Sequence, residues 1–181
     1  PALKMDEHFP YNGRPQPLEP LSFISFNQRI DAASVLEYIA VNVDGRRVDI
    51  KLATETEISK DETISSMVEN AQEGKYLVFR AYESFPADTQ INIFIEAGAP
   101  SAEGPLLTTE EQSYTFFTYA PLKLVDHHCD WSDDCRPLMP LTIEFNNPID
   151  AEDFDELLLE ISPEIVGASV DVYGNTIQIS G

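Results

Sequence analysis

Most of the reactive side chains in this chain of 181 residues lie in one short segment that begins at His127 and ends at Cys135. Cys129 and Cys135 are the two cysteines of the sequence. Zinc prefers thiolate and imidazole ligands, so these cysteines and a histidine form a possible zinc site, although Cys-x5-Cys is not a standard zinc spacing. We favour a disulfide that closes this acidic loop, which implies an oxidising compartment.

Neither cysteine is expected to be a nucleophile, because acidic neighbours raise the pKa of a thiol. Two acidic groups could offer oxygen ligands to calcium, but neither has the spacing D-x-[DN]-x-[DN]-G with a distal glutamate. These groups are Asp130, Asp133 and Asp134, and Asp150, Glu152, Asp153 and Asp155. The sequence therefore predicts a non-enzyme without metal or cofactor. A metal-dependent enzyme built on His127, His128 and the cysteines is the weaker alternative.

The composition excludes one class of partner. Eleven Lys and Arg residues against 32 Asp and Glu give a net charge of −21, which repels a phosphate backbone, so nucleic acid is not an expected partner. No apolar run approaches the roughly 20 residues that cross a bilayer, and the first residues lack a signal-peptide core. We expect no transmembrane segment here, and we expect the chain to be part of a longer protein.

The chain repeats itself. Residues 22–32, Ser-Phe-Ile-Ser-Phe-Asn-Gln-Arg-Ile-Asp-Ala, match residues 141–151, Leu-Thr-Ile-Glu-Phe-Asn-Asn-Pro-Ile-Asp-Ala, at an offset of 119 residues. Each copy is an alternating strand followed by Asn-x-x-Ile-Asp. We expect Asn27 and Asn146 to bond nearby backbone in a turn rather than a ligand, and Asp31 and Asp150 to cap short helical turns.

Short alternating or β-branched segments predict an all-β chain of tandem immunoglobulin-like β-sandwich modules. Five prolines predict an extended linker over residues 1–20, followed by module 1 at 21–120 and module 2 at 121–181. The predicted strands are 21–27, 38–43, 47–52, 76–82, 91–96, 113–119, 122–126, 141–145, 157–161, 169–172 and 176–179. Module 2 is about two strands short, and we expect it to be frayed or to form a strand-edge dimer with a neighbouring copy.

One helix is predicted at about 60–72, inserted into a hairpin of module 1. Ser59 and Glu62 have the spacing of a capping box, and Gly74 is a possible left-handed stop. The narrow apolar stripe of this helix favours a position on one flank of a sheet. We predict that Ile64 and Met67 dock a neighbouring module, and that Trp131 is a further possible interaction residue.

Four segments resemble the N-terminal region of bacterial alpha-2-macroglobulin-like proteins. They are residues 18–28, 101–106, 129–135 and 143–150, and the likeness covers about 18–181. It implies a large multi-module protease inhibitor of the cell envelope, often lipid-anchored and facing the periplasm. In that family the attacking protease cuts a bait segment, and a Cys-x-Glu-Gln thioester elsewhere in the chain can capture the protease covalently. Cys129 is followed by Asp-Trp-Ser and Cys135 by Arg-Pro-Leu, so no thioester residue is carried over.

The resemblance therefore implies a non-catalytic scaffold. Its expected partners are the other modules of the same parent chain, and target proteases through the full-length protein. The alternative is a cell-surface adhesion or carbohydrate-binding module. In that alternative Trp131, Tyr114 and Tyr119 would form an exposed aromatic platform.

Overall fold

The computed structural model describes residues 1–129, 139–162 and 166–181. The chain divides into two compact units, residues 1–119 and 120–181, so the predicted module boundary differs from the observed one by a single residue. Both units are built from β-sheet, and unit 1 is an immunoglobulin-like β-sandwich. In unit 1 the strands are β1 Met5–Phe9, β2 Pro15–Gln16, β3 Ser22–Phe26, β4 Ile39–Val43, β5 Arg46–Val48, β6 Ile50–Leu52, β7 Tyr76–Ala81, β8 Gln90–Ile95 and β9 Gln112–Thr118.

Two sheets face each other in unit 1. Sheet A has the strand order β1-β3-β7-β6, and sheet B has the order β2-β9-β8-β4-β5. Only β2 and β9 are parallel neighbours. Side chains alternate along each strand, so one face of each sheet is apolar and the two apolar faces form the core. The largest fully buried contributors include Ile24, Leu77 and Phe79 from sheet A, and Ile91, Ile93 and Phe116 from sheet B.

Helices cover the outer face of sheet A. They are α2 Glu55–Lys60 and α3 Glu62–Asn70, in the connection between β6 and β7, while a shorter helix, α1 Ala32–Leu36, follows β3. Ile64 of α3 is fully buried in a second apolar cluster with Phe23 and Val78, which point outward from sheet A. The inserted helical segment thus lies on a flank of the sheet, as its narrow stripe predicts.

The prediction of a single helix at 60–72 is wrong in two respects: the number of helices and the residue that caps them. Two helices are present because two capping residues lie close together: Thr54 caps α2 in a capping box with Glu57, and Asp61 caps α3. Ser59 lies inside α2 and caps neither helix. The left-handed glycine is present, since Gly74 has a φ of +75°.

The linker predicted over residues 1–20 is also wrong. Residues Met5–Phe9 form β1, which pairs antiparallel with β3, and Leu3 is buried in the main core. The prolines lie outside β1, at Pro1 and from Pro10 onward, so they do not remove donors from its ladder. Pro15 begins β2, where proline is tolerated at the start of an edge strand.

The segment predicted as one strand at 47–52 is two strands in different sheets. Val48 in β5 lies opposite Val41 of sheet B, whereas Ile50 in β6 lies opposite Ala81 of sheet A. Both Val48 and Ile50 pack against the main core. The apolar alternation therefore continues across a change of pairing partner, which periodicity cannot reveal.

Unit 2 is one antiparallel sheet in the described residues, here called sheet C. Its strands are β10 Leu124–Cys129, β11 Leu141–Phe145, β12 Ser169–Tyr173 and β13 Thr176–Ser180, in the order β10-β11-β13-β12. The strand pair β10–β11 of sheet C reproduces the pair β1–β3 of sheet A: His8 lies opposite Ile24, and His127 lies opposite Ile143 at the same offset. The register shifts at the same point of β1 and β10.

Two predicted strands of unit 2 need correction. The strand predicted at 122–126 begins at Leu124 and extends to Cys129. The strand predicted at 157–161 is wrong, because Glu156–Leu158 form a 3₁₀ helix. In unit 1 the corresponding strand after sheet A's β3 is β4, which lies between β8 and β5 in sheet B. Sheet B has no counterpart among the described residues of unit 2, so residues 157–161 lack the neighbours that make β4 a strand.

Candidate functional site

The repeated Asn-x-x-Ile-Asp segment forms the same hydrogen-bonded corner in both units. The amide of Asn27 accepts from the backbone nitrogen of Lys4 at 2.9 Å and donates to the carbonyl of Ala2 at 3.2 Å. Asn146 makes both bonds with the residues 119 positions further on, at 2.7 and 3.0 Å. The predicted backbone role of the two asparagines is confirmed, and their amides are used to hold the chain beside the first strand of each unit.

A second pair of bonds closes each corner on a glycine. The backbone nitrogen of Ile30 donates to the carbonyl of Gly74 at 2.8 Å, and that of Ile149 donates to Gly174 at 2.7 Å. Both glycines have positive φ, +75° and +58°. The corner is therefore the same whether two helices or a tight turn precede the glycine, which explains how the insertion is accommodated.

The aspartates of the repeat differ between the units. The Asp31 carboxylate accepts from the Ser34 backbone at 2.8 Å and caps α1. Hydrogen bonding to the side chain and backbone of Ser34 lowers the pKa of Asp31 below its ordinary value. The Asp150 carboxylate accepts from Glu152 at 3.0 Å and from Asp153 at 3.4 Å, and it starts a turn rather than a helix. The cap prediction is thus confirmed for a helix at Asp31 and for a turn at Asp150.

The proposed docking surface at Ile64 and Met67 faces the protein's own sheet. Ile64 is fully buried in the cluster with Phe23, so the prediction that it docks a neighbouring module is wrong. Met67 packs against the same cluster and is half-buried, so its docking role stays a prediction. The helix α3 turns polar residues outward, including Glu62 and Glu69.

An ion pair fastens α2 to sheet A. The Arg80 guanidinium lies 3.1 Å from the Glu57 carboxylate and 3.9 Å from that of Glu19. Hydrogen bonds from the backbone and side chain of Thr54 lower the pKa of Glu57. These ion pairs connect the helical insertion to sheet A, and they neutralise the charge of Arg80.

His127, His128 and Cys129, the described part of the segment 127–135, form the end of β10. Cys129 is buried and disulfide-bonded, so it offers no thiol for metal binding or nucleophilic attack. His127 and His128 are exposed, and the imidazole of His128 lies 3.8 Å from the carboxylate of Asp126. In the described ranges, no group of three or more His, Cys, Asp or Glu side chains is arranged to hold a metal ion. Cys135 and Trp131, and with them the predicted pairing of Cys129 with Cys135, lie outside the described residues.

The aromatic platform of the adhesion alternative is not formed at Tyr114. This residue is buried under sheet A, and burial raises the pKa of its hydroxyl. Its ring stacks on His8, with a centroid distance of 4.1 Å and an interplanar angle of 16°. Tyr119 is half-buried. Sequence reasoning missed His8, although His8 and His127 share the offset of the repeat and Leu3-Lys4 recurs as Leu-Lys at 122–123.

A groove of about 640 Å³ lies between the β4–β5 hairpin and residues 82–86. Two of its polar side chains are engaged with residues outside the groove. Arg47 pairs with Glu96 at 3.1 Å, and the Ser84 hydroxyl donates to the Glu19 carboxylate. The Lys51 ammonium lies 5.4 Å from the centre of the Tyr82 ring. The groove therefore presents an exposed tyrosine but no nucleophile with a base among its lining residues.

Among the helices of the described ranges, none combines the length and the apolar character that crossing a membrane requires.

No protein-family model matches the chain. It is 28% identical over 149 residues to the circularly permutated Ras protein 2 of Dictyostelium discoideum, a match that covers 78% of this chain. The chain spans about 4% of the length of that relative.

Two solved structures are similar to the chain at low sequence identity. The Mycobacterium tuberculosis L,D-transpeptidase 1 matches with 12% identity over 81% of this chain and 48% of its own, at a TM-score of 0.38. The surface-layer protein SbsC, domains 1–6, matches with 10% identity over 72% of this chain and 15% of its own, at a TM-score of 0.41. Likenesses of this size carry no argument about function, which rests on the chain's own residues.

Proposed function

We propose that this chain is a non-catalytic scaffold: two tandem immunoglobulin-like modules of a bacterial alpha-2-macroglobulin-like protease inhibitor of the cell envelope. The observation that carries the proposal is the corner formed twice, by Asn27 and by Asn146, with the same backbone partners. Residue types that could bind ligands are used in both units to fix backbone. Such use favours a structural module over an active site.

The disulfide at Cys129 supports the exported part of this proposal. Disulfides persist in oxidising compartments such as the periplasm and are rare in the cytosol. Cys129 is buried at the end of β10 and disulfide-bonded, which is the state expected of a structural cysteine in an exported protein. A parent protein in the envelope, with a lipid anchor elsewhere, is part of the same proposal.

Two of the four segments that carry the resemblance to the inhibitor family contain the structural corners. Residues 18–28 and 143–150 contain the strands β3 and β11 and the asparagines that follow them. Neither cysteine has the Cys-x-Glu-Gln pattern, so we assign the protease-capturing chemistry to other parts of the parent protein. The role of this fragment is to hold neighbouring modules in place.

The proposal is tested on the native protein, purified from its source with antibodies raised against this chain. Trypsin is mixed with it and assayed on a small chromogenic peptide and on casein. We expect a polypeptide much larger than 20.3 kDa that blocks casein cleavage and spares cleavage of the small substrate, because a trapped protease keeps an accessible active site.

The matched control is trypsin whose active-site serine has been chemically blocked. It cannot cut a bait segment, so it should not enter a complex on a native gel. Equal loss of activity on both substrates, no loss on either, or equal binding of active and blocked trypsin would overturn the inhibitor proposal.

A further inference from the structure

The outer face of sheet B, which points away from the core of unit 1, combines amide side chains with two phenylalanines. The isoleucines of β8 are buried in the core, so Asn92 and Phe94 between them point outward. By the same alternation Thr115 and Phe117 of β9 point outward, and so does Asn42 of β4. These five side chains therefore lie on one face of the sandwich.

Three of them form a polar row across adjacent strands. Asn42 lies opposite Asn92, and Asn92 lies opposite Thr115. The side-chain carbonyl of Asn92 accepts from the Thr115 hydroxyl at 3.0 Å and from the Gln90 amide at 2.9 Å. These bonds orient the Asn92 amide, and its nitrogen donates to no group of the described residues. The Asn42 side chain makes no hydrogen bond within the described ranges either. The row therefore presents amide groups that are positioned and still able to bond.

A phenylalanine lies on each side of this polar row. Phe94 is two residues from Asn92 along β8, and Phe117 is two residues from Thr115 on the opposite side of the row. Phe94 lies opposite Ser113, four residues before Phe117, so the two phenylalanines are about 14 Å apart along the strands. Phe117 is 42% exposed and Phe94 is half-buried. A ligand that contacts both phenylalanines must therefore be a chain, because one small ring cannot span them.

The outer face of sheet B is nearly neutral, although the chain has a net charge of −21. The outward residues of β4, β5, β8 and β9, all within the described part of the chain, include one charged side chain, Arg47. Its guanidinium is paired with Glu96 at 3.1 Å. A paired charge attracts a further ion little, and the acidic surface elsewhere repels a polyanion. The charge distribution therefore favours an uncharged ligand on this face.

We propose that the outer face of sheet B binds a neutral polysaccharide chain in an extended conformation. The amides of Asn42 and Asn92 exchange hydrogen bonds with sugar hydroxyls, since an uncharged amide both donates and accepts. The phenyl rings of Phe94 and Phe117 pack against the apolar C–H faces of two separate sugar units. The proposal goes beyond the scaffold function and does not depend on it, because it rests on residues of unit 1 alone.

A covering polypeptide fits this face less well than a polysaccharide. The outer face of sheet A shows what this chain places beneath its own helices: Phe23 and Val78 are buried there together with Ile64. A helix or sheet packed on sheet B would instead remove the amides of Asn42 and Asn92 from water, and burying a polar group without a new hydrogen bond costs free energy. Sugar hydroxyls replace the water bonds of these amides directly.

The test is an NMR titration of the ¹⁵N-labelled chain with cellohexaose and with chitohexaose, two neutral oligosaccharides whose β-linked units form extended chains. We expect at least one of them to cause saturable shifts of the side-chain amide signals of Asn42 and Asn92. Maltohexaose has the composition of cellohexaose, but its α-linked chain is curled, so it should bind more weakly. The absence of saturable shifts with both extended chains would overturn the proposal, and so would equal binding of maltohexaose.

Three variants separate binding at this face from binding elsewhere. Phe117→Ala should weaken the affinity about fivefold. Asn42→Ala should weaken it about threefold, and it breaks no hydrogen bond of the described chain, so a loss of affinity cannot come from lost structure. Tyr82→Ala is the matched control, because Tyr82 is an exposed aromatic residue of the groove beside residues 82–86. Unchanged affinity in both face variants, or an equal loss in Tyr82→Ala, would contradict the proposal.

The native protein, purified as for the trypsin assay, shows whether the face is accessible in the parent. It should bind the same oligosaccharide with the affinity of the 181-residue chain. If the native protein does not bind, another part of the parent covers the face, and the polysaccharide proposal is overturned. The trypsin assay has a separate readout, so the inhibitor proposal and the polysaccharide proposal can fail independently.

Discussion

Sheet A in unit 1 and sheet C in unit 2 have the same pairing and the same corner, but different surroundings. On the outer face of sheet A, Phe23 lies opposite Val78 and both pack under α3. At the matching positions of sheet C, Thr142 lies opposite Gln178. The unit with the helical insertion therefore has apolar residues beneath it, and the unit without the insertion has polar residues there. The backbone pairing is the same in both units, but the side chains on the outer face are apolar where a helix covers them and polar where no helix does.

The inner faces of sheets A and C have similar residue types, but they differ in how much of each face is buried. Ile24 and Leu77 in sheet A correspond to Ile143 and Ile177 in sheet C, so both inner faces are apolar. Ile24 is fully buried between two sheets, whereas Ile143 is half-buried. Ile177 is as buried as Leu77, so the face of unit 2 is open at β11 and closed at β13. Apolar residues have thus been retained on a face that is closed in one unit and partly open in the other.

The largest expected effect tests this difference in cover. Replacing Ile24 with alanine should destabilise unit 1 by about 2–5 kcal/mol, because it removes a fully buried side chain from a closed core. Replacing Ile143 should cost about 1–2 kcal/mol, because that side chain is already half-exposed. A urea titration monitored by hydrogen exchange would show which unit loses stability in each variant. Equal losses would mean that the inner face of unit 2 is as closed as that of unit 1.

The second effect concerns the insertion that unit 2 lacks. Ile64→Ala should destabilise unit 1 by about 2–3 kcal/mol, the lower part of the range for buried aliphatic residues, because α3 covers only one side of sheet A. Thr63→Ala, at an exposed neighbouring position, is the matched control and should change stability by less than about 0.5 kcal/mol. Thermal unfolding measures both. An unchanged melting temperature for Ile64→Ala would remove the packing role assigned to this residue.

Part of this architecture can be predicted from the sequence. Alternation identifies β3, β4, β7, β8 and β9 to within a residue or two, because each is bounded by turn residues and pairs over its whole length. The segment 157–161, Leu-Leu-Leu-Glu-Ile, is as apolar as a strand but is not one, because a strand also needs a neighbour to pair with. The pattern of apolar residues can predict that a segment suits a strand, but it cannot predict whether a neighbouring strand is present to pair with it.

The candidate site could be predicted less well. The corner role of Asn27 and Asn146 follows from their repetition, since a ligand site has no need to recur in two modules. The burial of Ile64 could not be read from its helix, because an apolar stripe is equally suited to the protein's own sheet and to a partner. His8 lies in a segment whose prolines indicate a linker, yet His8 and His127 are separated by the 119 residues of the repeat, which is the sequence signal for their shared position.

The third effect should be equal in the two units, because the corner is common to both. Asn27→Ala and Asn146→Ala each remove one accepted and one donated hydrogen bond, and each should cost about 1–2 kcal/mol. Hydrogen exchange of the Lys4 and Lys123 backbone amides, which donate to the two asparagines, measures the local opening. Asn27→Asp keeps the acceptor for Lys4 but places a carboxylate oxygen against the carbonyl of Ala2, so it should cost at least as much as Asn27→Ala. If only one of the two variants loses stability, the corner contributes to the stability of one unit and not of the other, despite its equal geometry.

The smallest effect separates the two aspartates of the repeat. Hydrogen bonds from Ser34 lower the pKa of Asp31 below its ordinary value of 3.8. A carboxyl whose pKa is depressed by folding contributes stability that is complete above the ordinary value and is lost as the pH falls through the folded value. The N-terminus of α1 should therefore loosen below about pH 3.8.

NMR titration of the Asp31 carboxyl, with the Ser34 amide as reporter, measures this directly. Asp31→Asn is the matched control, because asparagine caps helices about as well as aspartate and does not titrate in this range. We expect the Ser34 amide to respond to acid in the wild-type chain and to lose that response in the variant. If Asp31 titrates at or above 3.8, its carboxylate is no more tightly held than in an unfolded chain.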